Sequence, residues 1–156
     1  MLKVSQKTEY AMRAMVELAM RRERDGEDLQ PARALAEAQH IPLRFLEQQL
    51  GALHKAGLIQ SFRGAGGGCR LARDPNEIRV AEIVDAIEGD LYPMTCLDDH
   101  DCFADAACGL QGLWGDVHLA VRQVFEATTL ADLARRHSAQ PQRVLVPASE
   151  LLRPRT

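Results

Sequence analysis

The stretch PLRFLEQQLGALHKAGLIQSFRGAGGGCRL, residues 42–71, decides the fold because its pattern changes from helix to strand at one glycine. Apolar residues recur at helical spacing as far as Ala56. The residues expected to face the core are Phe45 or Leu46, Leu50 and Leu53. Gly57 can adopt the left-handed backbone that ends a helix. Two strands, residues 58–62 and 69–71, then flank a glycine-rich loop, so the stretch predicts a helix followed by a β-hairpin.

Two further helical patterns precede this stretch. One covers about residues 5–22, with Ser5 as a suitable N-cap, and a shorter one covers residues 31–39. The breaking sequence at residues 40–42 separates the shorter helix from the next one, so the pair predicts a helix-turn-helix. A fourth helix over residues 79–88 closes the domain. The expected fold is mainly α with a small β-wing, which is a winged helix-turn-helix.

The loop Arg63-Gly-Ala-Gly-Gly-Gly68 forms the tip of the predicted wing. Its glycines allow close approach to another backbone, and Arg63 can reach a minor groove or a phosphate of DNA. Binding of a nucleotide phosphate is the alternative. The loop lacks the Gly-Lys-Ser/Thr ending of such sites and lies between strands, so we do not expect nucleotide binding.

Three of the four cysteines lie close together, at Cys96, Cys102 and Cys108, with five residues between each pair. Thiolates are soft ligands that suit zinc or iron–sulfur clusters. The alternatives are small apolar packing or a disulfide, but the acidic surroundings argue against burial. Structural zinc sites usually have about two to four residues between cysteines, so the wider gaps favour iron–sulfur.

A long amphipathic helix is predicted after Cys108, ending near Ala127. Its apolar stripe consists of Leu110, Leu113, Trp114, Val117, Val121, Val124 and Phe125. Such a helix needs a partner, so we expect self-association, with packing on the first helix as the alternative. Thr128 or Thr129 can cap a further short helix. The predicted divisions are a DNA-binding domain (1–90), a cysteine loop with a dimerisation helix (91–134), and a loosely structured tail (135–156).

The distribution of charge indicates a mildly basic N-terminal half. Residues 1–79 carry 13 Lys and Arg against 10 Asp and Glu, whereas residues 80–156 carry 6 against 12. No apolar run is long enough for a membrane span or a signal peptide, so a cytoplasmic protein with free cysteines is expected. The sequence contains no nucleophile–base pair or phosphate loop at motif spacing, so we do not expect an enzyme.

Several motifs resemble those of the small bacterial winged-helix regulators of the IscR, NsrR and RirA type, over about residues 1–134. The resemblance is carried by the cysteine spacing and by four short motifs: Phe45-Leu-Glu-Gln48, Lys55-Ala-Gly-Leu58, Arg63-Gly-Ala-Gly-Gly-Gly68 and Thr129-Leu-Ala-Asp-Leu133. It implies a homodimer that reads a double-stranded DNA operator with two recognition helices and two wings. It also implies that an iron–sulfur cluster controls this binding.

The resemblance also implies a set of DNA-contacting residues: Arg44, Phe45, Gln48, Arg63, Gly64 and Gly66. Gln48 can pair with adenine, and the two arginines with guanine or phosphate, whereas Phe45 can pack on a thymine methyl or on the core. The expected function is a DNA-binding repressor whose cluster senses nitric oxide, iron or redox state. The alternative is an iron–sulfur or zinc protein whose winged domain binds other proteins, which the acidic overall charge favours.

The fourth cluster ligand is where the sequence departs from some of these regulators. IscR-like members have a histidine three residues beyond the last cysteine, and Gln111 stands there. NsrR-like members complete a 4Fe-4S cluster with an acidic residue from the first helix of the other subunit, and Glu9 occupies the matching position. The alternative for Glu9 is an ordinary exposed charge on the helix. The alternative for the cluster is the 2Fe-2S type. Other ligand candidates are His100 and Asp98 or Asp99. Cys69, where the family often has tyrosine, is interpreted as a packing residue.

Overall fold

The fold consists of six helices and one antiparallel hairpin in the computed structural model, which describes residues 4–26, 29–89 and 109–139. In chain order the elements are α1 (Gln6–Asp25), α2 (Ala32–Gln39), α3 (Leu43–Lys55), β1 (Ile59–Phe62), β2 (Gly68–Leu71), α4 (Val80–Glu88), α5 (Gly109–Ala127) and α6 (Leu130–Ser138). The predicted mainly α fold with a β-wing is confirmed. The predicted cysteine loop falls on residues outside the described ranges.

Helix α1 is the centre of the fold. The Oγ of Ser5 caps it by accepting a hydrogen bond from the backbone N–H of Thr8 at 3.3 Å. The helix contacts α2, α3, α4, α6 and β2. Ala11, Ala14 and Met15 have no exposed surface. Because alanine side chains are small, neighbouring helices can pack closely on more than one side of α1.

The turn between α2 and α3 is fixed by the backbone and by one buried side chain. His40 adopts a left-handed conformation with φ of 52°, and its N–H donates to the carbonyl of Glu37 at 3.2 Å. The N–H of Ile41 donates to the carbonyl of Ala36 at 2.9 Å, and the Ile41 side chain is buried. Pro42 then serves as the N-cap of α3. The turn therefore ends one helix, anchors the chain and starts the next helix within three residues.

The wing is an antiparallel hairpin joined to the segment before α2. Strand β1 pairs with β2 from Ile59 opposite Leu71 to Phe62 opposite Gly68. The backbone of Cys69 also pairs with Gln30, through two N–H to carbonyl hydrogen bonds of 2.8 Å. This third pairing fixes the base of the wing to the segment that leads into α2.

The connection between α5 and α6 is tied to the start of α4. The N–H of Val80 donates to the carbonyl of Thr128 at 3.0 Å, and the N–H of Leu130 donates to the carbonyl of Ile78 at 2.9 Å. Leu130 is fully buried, and α6 packs against α1. Helix α6 therefore belongs to the core of the winged domain although it lies far from it in sequence.

Residues 135–138, predicted as part of a loosely structured tail, instead continue helix α6. Thr129 and Asp132 form a reciprocal capping box at the start of this helix. The backbone N–H of Thr129, together with its hydroxyl and with Arg135, lowers the pKa of the Asp132 carboxyl to about 2. Basic residues in the last turn stabilise the helix by interacting with the negative end of its dipole. These interactions at the two ends stabilise the helix as far as Ser138.

Candidate DNA-reading surface and its link to the sensor segment

Helix α3 has a buried face and an exposed face. Leu46, Leu50, Leu53 and Gln49 are buried. Arg44, Phe45 and Gln48 are exposed, and they share one side because residues three and four apart are neighbours on a helix. The two alternatives for Phe45 are now distinguished: its side chain is 53% exposed, and Leu46 takes the core position. The exposed side of α3 thus presents an amide, a guanidinium and an aromatic ring.

The glycines of the wing tip have two different roles. Gly64 and Gly66 adopt left-handed backbone, with φ of 95° and 77°. A Cβ on Gly67 would clash with the backbone of Phe62, and one on Gly68 with the backbone of Gln30. Two of the glycines are therefore required by close approach within the chain itself. The expected approach to a DNA backbone stays a prediction for the exposed tip.

The exposed side of α3 and the wing together form the reading surface. This stretch is positively charged, whereas the whole chain is negatively charged. Residues 42–71 contain four Lys or Arg and a single Glu, although the chain has a net charge of −3. No ion pair among the described residues includes Arg44 or Arg63. Uncompensated cations beside a recognition helix attract the phosphates of DNA. The local charge therefore favours nucleic acid more than the acidic total indicates.

A polar network inside the domain connects α1 to the end of α2 and to Gln30, whose backbone pairs with the wing. The buried carboxylate of Glu17 accepts a hydrogen bond from Arg21 at 2.6 Å and another from the Gln39 amide at 2.9 Å. Arg13 donates to the carbonyl of Gln39, the last residue of α2. Arg21 also donates to the Gln30 amide at 2.7 Å. The sequence shows the spacing of Glu17 and Arg21, but it gives no signal for the two glutamines.

The start of α1 is hydrogen-bonded to the end of α4. The carboxylate of Glu88, the last residue of α4, accepts hydrogen bonds from the hydroxyls of Ser5 and Thr8. These bonds lower the pKa of the Glu88 carboxyl. The side chain of Glu9 is 59% exposed and forms a 3.5 Å ion pair with Arg13. Glu9 thus lies one residue from the contact that fixes the end of α4.

The sequence-predicted metal ligands are divided between two parts of the chain. Glu9 lies in the described part, on the exposed surface of α1. The other candidates lie outside the described residues: Cys96, Cys102, Cys108, His100, Asp98 and Asp99. Within residues 4–26, 29–89 and 109–139, no three His, Cys, Asp or Glu side chains are grouped to hold a metal ion.

Cys69 is buried in the wing, as its interpretation as a packing residue requires. Its Sγ donates to the carbonyl of Gln30 at 3.6 Å. Burial raises the pKa of the thiol to about 11, so the group stays protonated at neutral pH. A thiolate is the form that binds metal, and this environment disfavours it.

The exposed face of α3 and the attached wing define a winged helix-turn-helix DNA-binding protein. A family model, Rrf2, with the description iron-dependent transcriptional regulator, matches residues 4–136. The chain belongs to the Rrf2 family of transcriptional regulators, a non-enzymatic class, as the sequence predicts. Among the described residues, no helix is both long and apolar enough to span a membrane.

Similar proteins share this architecture. The regulator IscR of Photobacterium profundum is 33% identical over 139 residues, which cover 89% of this chain and 79% of that protein. The structure of T. potens IscR matches with a TM-score of 0.71 at 33% identity, covering 91% of this chain and 94% of that one. CymR, the global cysteine regulator of B. subtilis, matches with a TM-score of 0.73 at 33% identity, covering 87% and 98%. The predicted resemblance to IscR-type regulators is confirmed.

Proposed function

We propose that this chain is a DNA-binding repressor whose operator affinity is controlled by an iron–sulfur cluster bound to Cys96, Cys102 and Cys108. The observation that carries the proposal is the position of these three thiols. In the sequence they lie between α4 and α5. The end of α4 is hydrogen-bonded to the start of α1, and four large apolar side chains of α5 are exposed. Along the chain, the cysteines therefore connect the winged domain to the helix proposed for dimerisation.

The chemistry of the donor set fits an iron–sulfur cluster. Three thiolates in an acidic segment are soft ligands at a spacing wider than zinc sites usually have. When bound, such a cluster supplies redox chemistry and reactivity towards nitric oxide. We propose Glu9 of the other subunit as the fourth ligand of a 4Fe-4S cluster. Its carboxylate is exposed and held by one long ion pair, so it can be redirected at small cost.

The contacts of α1 explain how a change at Glu9 would reach the reading surface. Arg13 pairs with Glu9 and also donates to the carbonyl of Gln39 at the end of α2. Withdrawing the Glu9 carboxylate changes the charge beside that hydrogen bond. The Gln39 amide is in turn bonded to the buried Glu17. The helix-turn-helix is therefore connected to the proposed ligand by two side chains.

The proposed DNA contacts follow from exposure and hydrogen-bonding capacity. The Gln48 amide can bond an adenine edge in both directions, while Arg44 and Arg63 can bond guanine or phosphate. A homodimer formed through α5 would place two such surfaces on successive major grooves. A small change in their separation would then alter the fit to a fixed operator.

A second candidate differs only in the signal. CymR is described as the global cysteine regulator of B. subtilis, and its identity to this chain is the same as that of T. potens IscR, at 33%. Family membership alone therefore does not identify the signal. The three clustered cysteines favour the iron–sulfur candidate, and metal analysis separates the two.

The experiment is the anaerobic purification of Cys96→Ser, Cys102→Ser and Cys108→Ser, with iron and sulfide assays and absorbance spectra. Each variant should lose most of its iron and colour. Cys69→Ser is the matched control, since its hydroxyl can still donate to Gln30, and it should keep both. Full iron content in all three variants would contradict the proposed site.

Glu9→Ala tests the fourth ligand separately. We expect iron to be retained by the three cysteines, with a changed spectrum and an operator affinity closer to that of cluster-free protein. A variant identical to wild type in iron, spectrum and affinity would instead assign the position to His100, to an aspartate of the loop, or to an exogenous ligand.

A further inference from the structure

The outer face of the wing holds a guanidinium group in a fixed position. The guanidinium carbon of Arg70 lies 5.0 Å from the centroid of the Phe62 ring. Its Nε donates to the Oε1 of Gln60 at 3.0 Å. Gln60 and Arg70 are paired across the two strands, and Phe62 lies two residues further along β1, so the three side chains share one face.

The charge of Arg70 is not neutralised by the described part of the chain. The ion pairs in residues 4–26, 29–89 and 109–139 do not include it, whereas Arg73, three residues further on, pairs with Glu82 at 2.5 Å. Hydrogen bonding uses the Nε of Arg70 and leaves its two terminal nitrogens without a partner in these ranges. A guanidinium already held by stacking loses less freedom when an anion binds to it. Arg70 is therefore prepared to bind an anion.

The position of Arg70 in the wing indicates that the anion is a phosphate of DNA. It lies two residues beyond Gly68, which closes the wing tip, so it is about 7 Å along the strand from the end of the loop. Arg63 stands at the other side of the same loop. A wing that follows a recognition helix meets the regularly spaced phosphates of duplex DNA. Guanidinium and phosphate groups fit each other through paired hydrogen bonds.

We infer that Arg70, positioned by Phe62 and Gln60, binds a phosphate of the DNA backbone beside the contact made by Arg63. The inference rests on the proposed DNA-reading function and adds a second, sequence-independent contact to the wing. A contact of this kind fixes the register of the protein on the duplex without reading bases.

The test compares Arg70→Gln with Arg136→Gln, which makes the same change of charge on the exposed surface of α6. The probes are a duplex selected by the wild-type protein from a random library and a random-sequence duplex of equal length. Dissociation constants are measured over a series of salt concentrations. Arg70→Gln should weaken both complexes by the same factor and reduce the slope of log K against log salt by about 0.9 per bound subunit. Arg136→Gln should match wild type.

Two further variants separate binding from wing stability. Arg70→Lys keeps the charge but loses the planar fork, and Phe62→Leu removes the stacking ring. Both should keep the wild-type salt slope while weakening both complexes, with unfolding midpoints checked for every variant. If folded Arg70→Gln has the salt slope of Arg136→Gln, Arg70 only stabilises the wing and the inference is wrong. If wild-type protein selects no duplex, the DNA-reading assignment fails together with this inference.

Discussion

Helices α1 and α5 have nearly the same length, 20 and 19 residues, but they differ in what covers them. Helix α1 is enclosed by four helices and β2, and its residues Ala11, Ala14 and Met15 have no exposed surface. Helix α5 contacts α4, yet four of its large apolar side chains are more than half exposed: Leu110, Leu113, Leu119 and Val124. The helix that contains more large apolar residues is therefore the less buried one.

The described part of one chain therefore does not cover the apolar residues of α5. Burying a large apolar side chain contributes about 1.5–3 kcal/mol, so leaving four of them in water forfeits a substantial stabilisation. A second copy that packs α5 against α5 would recover it. We therefore propose that α5 carries the assembly of the dimer, whereas the core around α1 supports the reading surface on α3 and the wing.

The largest expected effect concerns the assembly of α5. Leu113→Asp should raise the dissociation constant of the dimer by at least about 100-fold, because an unpaired carboxylate in an apolar interface costs several kcal/mol. Sedimentation velocity over a range of concentrations measures this. Gln123→Asp makes the same change of charge at an exposed polar position of α5 and should change association far less. Equal association of the two variants would contradict the proposed interface.

The next effect concerns the core around α1. Met15→Ala should lower the free energy of unfolding by about 2–5 kcal/mol, because it leaves a cavity at a fully buried position. Val124→Ala, at a position 61% exposed, should cost less than about 1 kcal/mol in the monomer. Denaturant unfolding of both variants in the Leu113→Asp background excludes the contribution of the dimer. Similar losses of unfolding free energy in the two variants would contradict the difference in burial between α1 and α5.

A smaller effect is expected at the reading face of α3. Gln48→Ala should weaken operator binding by about 1–3 kcal/mol if the amide makes a paired contact with an adenine. Affinity for random-sequence DNA should stay the same, since that binding depends on phosphates. Fluorescence anisotropy at one fixed salt concentration measures both, with Gln123→Ala as a control on α5. Unchanged operator affinity would remove Gln48 from the base contacts.

The smallest effect is the pH dependence of the contact between α4 and α1. The folded protein lowers the pKa of Glu88, so this carboxylate stabilises the fold above its unfolded pKa and the stability is lost as pH falls through the folded value. Between about pH 5 and pH 3 the unfolding free energy should therefore fall less steeply in Glu88→Gln than in wild type, by about 1 kcal/mol or less. Parallel pH profiles would show that the hydrogen bonds from Ser5 and Thr8 carry no such linkage.

Much of the reading domain is predictable from local patterns. The end of α3 at Gly57, the two strands of the wing and the stop of α4 at Gly89 depend on residues adjacent in sequence. Leu46 and Phe45 stand side by side, and periodicity leaves their roles open. Packing against α1 decides between them, which a pattern within α3 cannot show.

The parts that sequence reasoning missed depend on contacts between distant residues. Helix α6 packs on α1 across more than a hundred residues, and Gln30, before α2, pairs with Cys69 of strand β2. Arg70 resembles any exposed strand arginine until the register places Gln60 and Phe62 beside it. The cysteine spacing, in contrast, is visible in the sequence, and the ligand roles stay predictions.

We propose that a cluster bound to the cysteine segment controls operator binding by the winged domain. The most direct measurement is the operator dissociation constant of wild-type protein, anaerobic and at one salt concentration, with its cluster and after removal of the cluster by nitric oxide. We predict that the cluster-loaded protein binds at least about 10-fold more tightly, and that a Cys96→Ser variant shows the weaker affinity before and after treatment. Equal affinity of the cluster-loaded and the cluster-free wild-type protein would show that the cluster does not control operator binding.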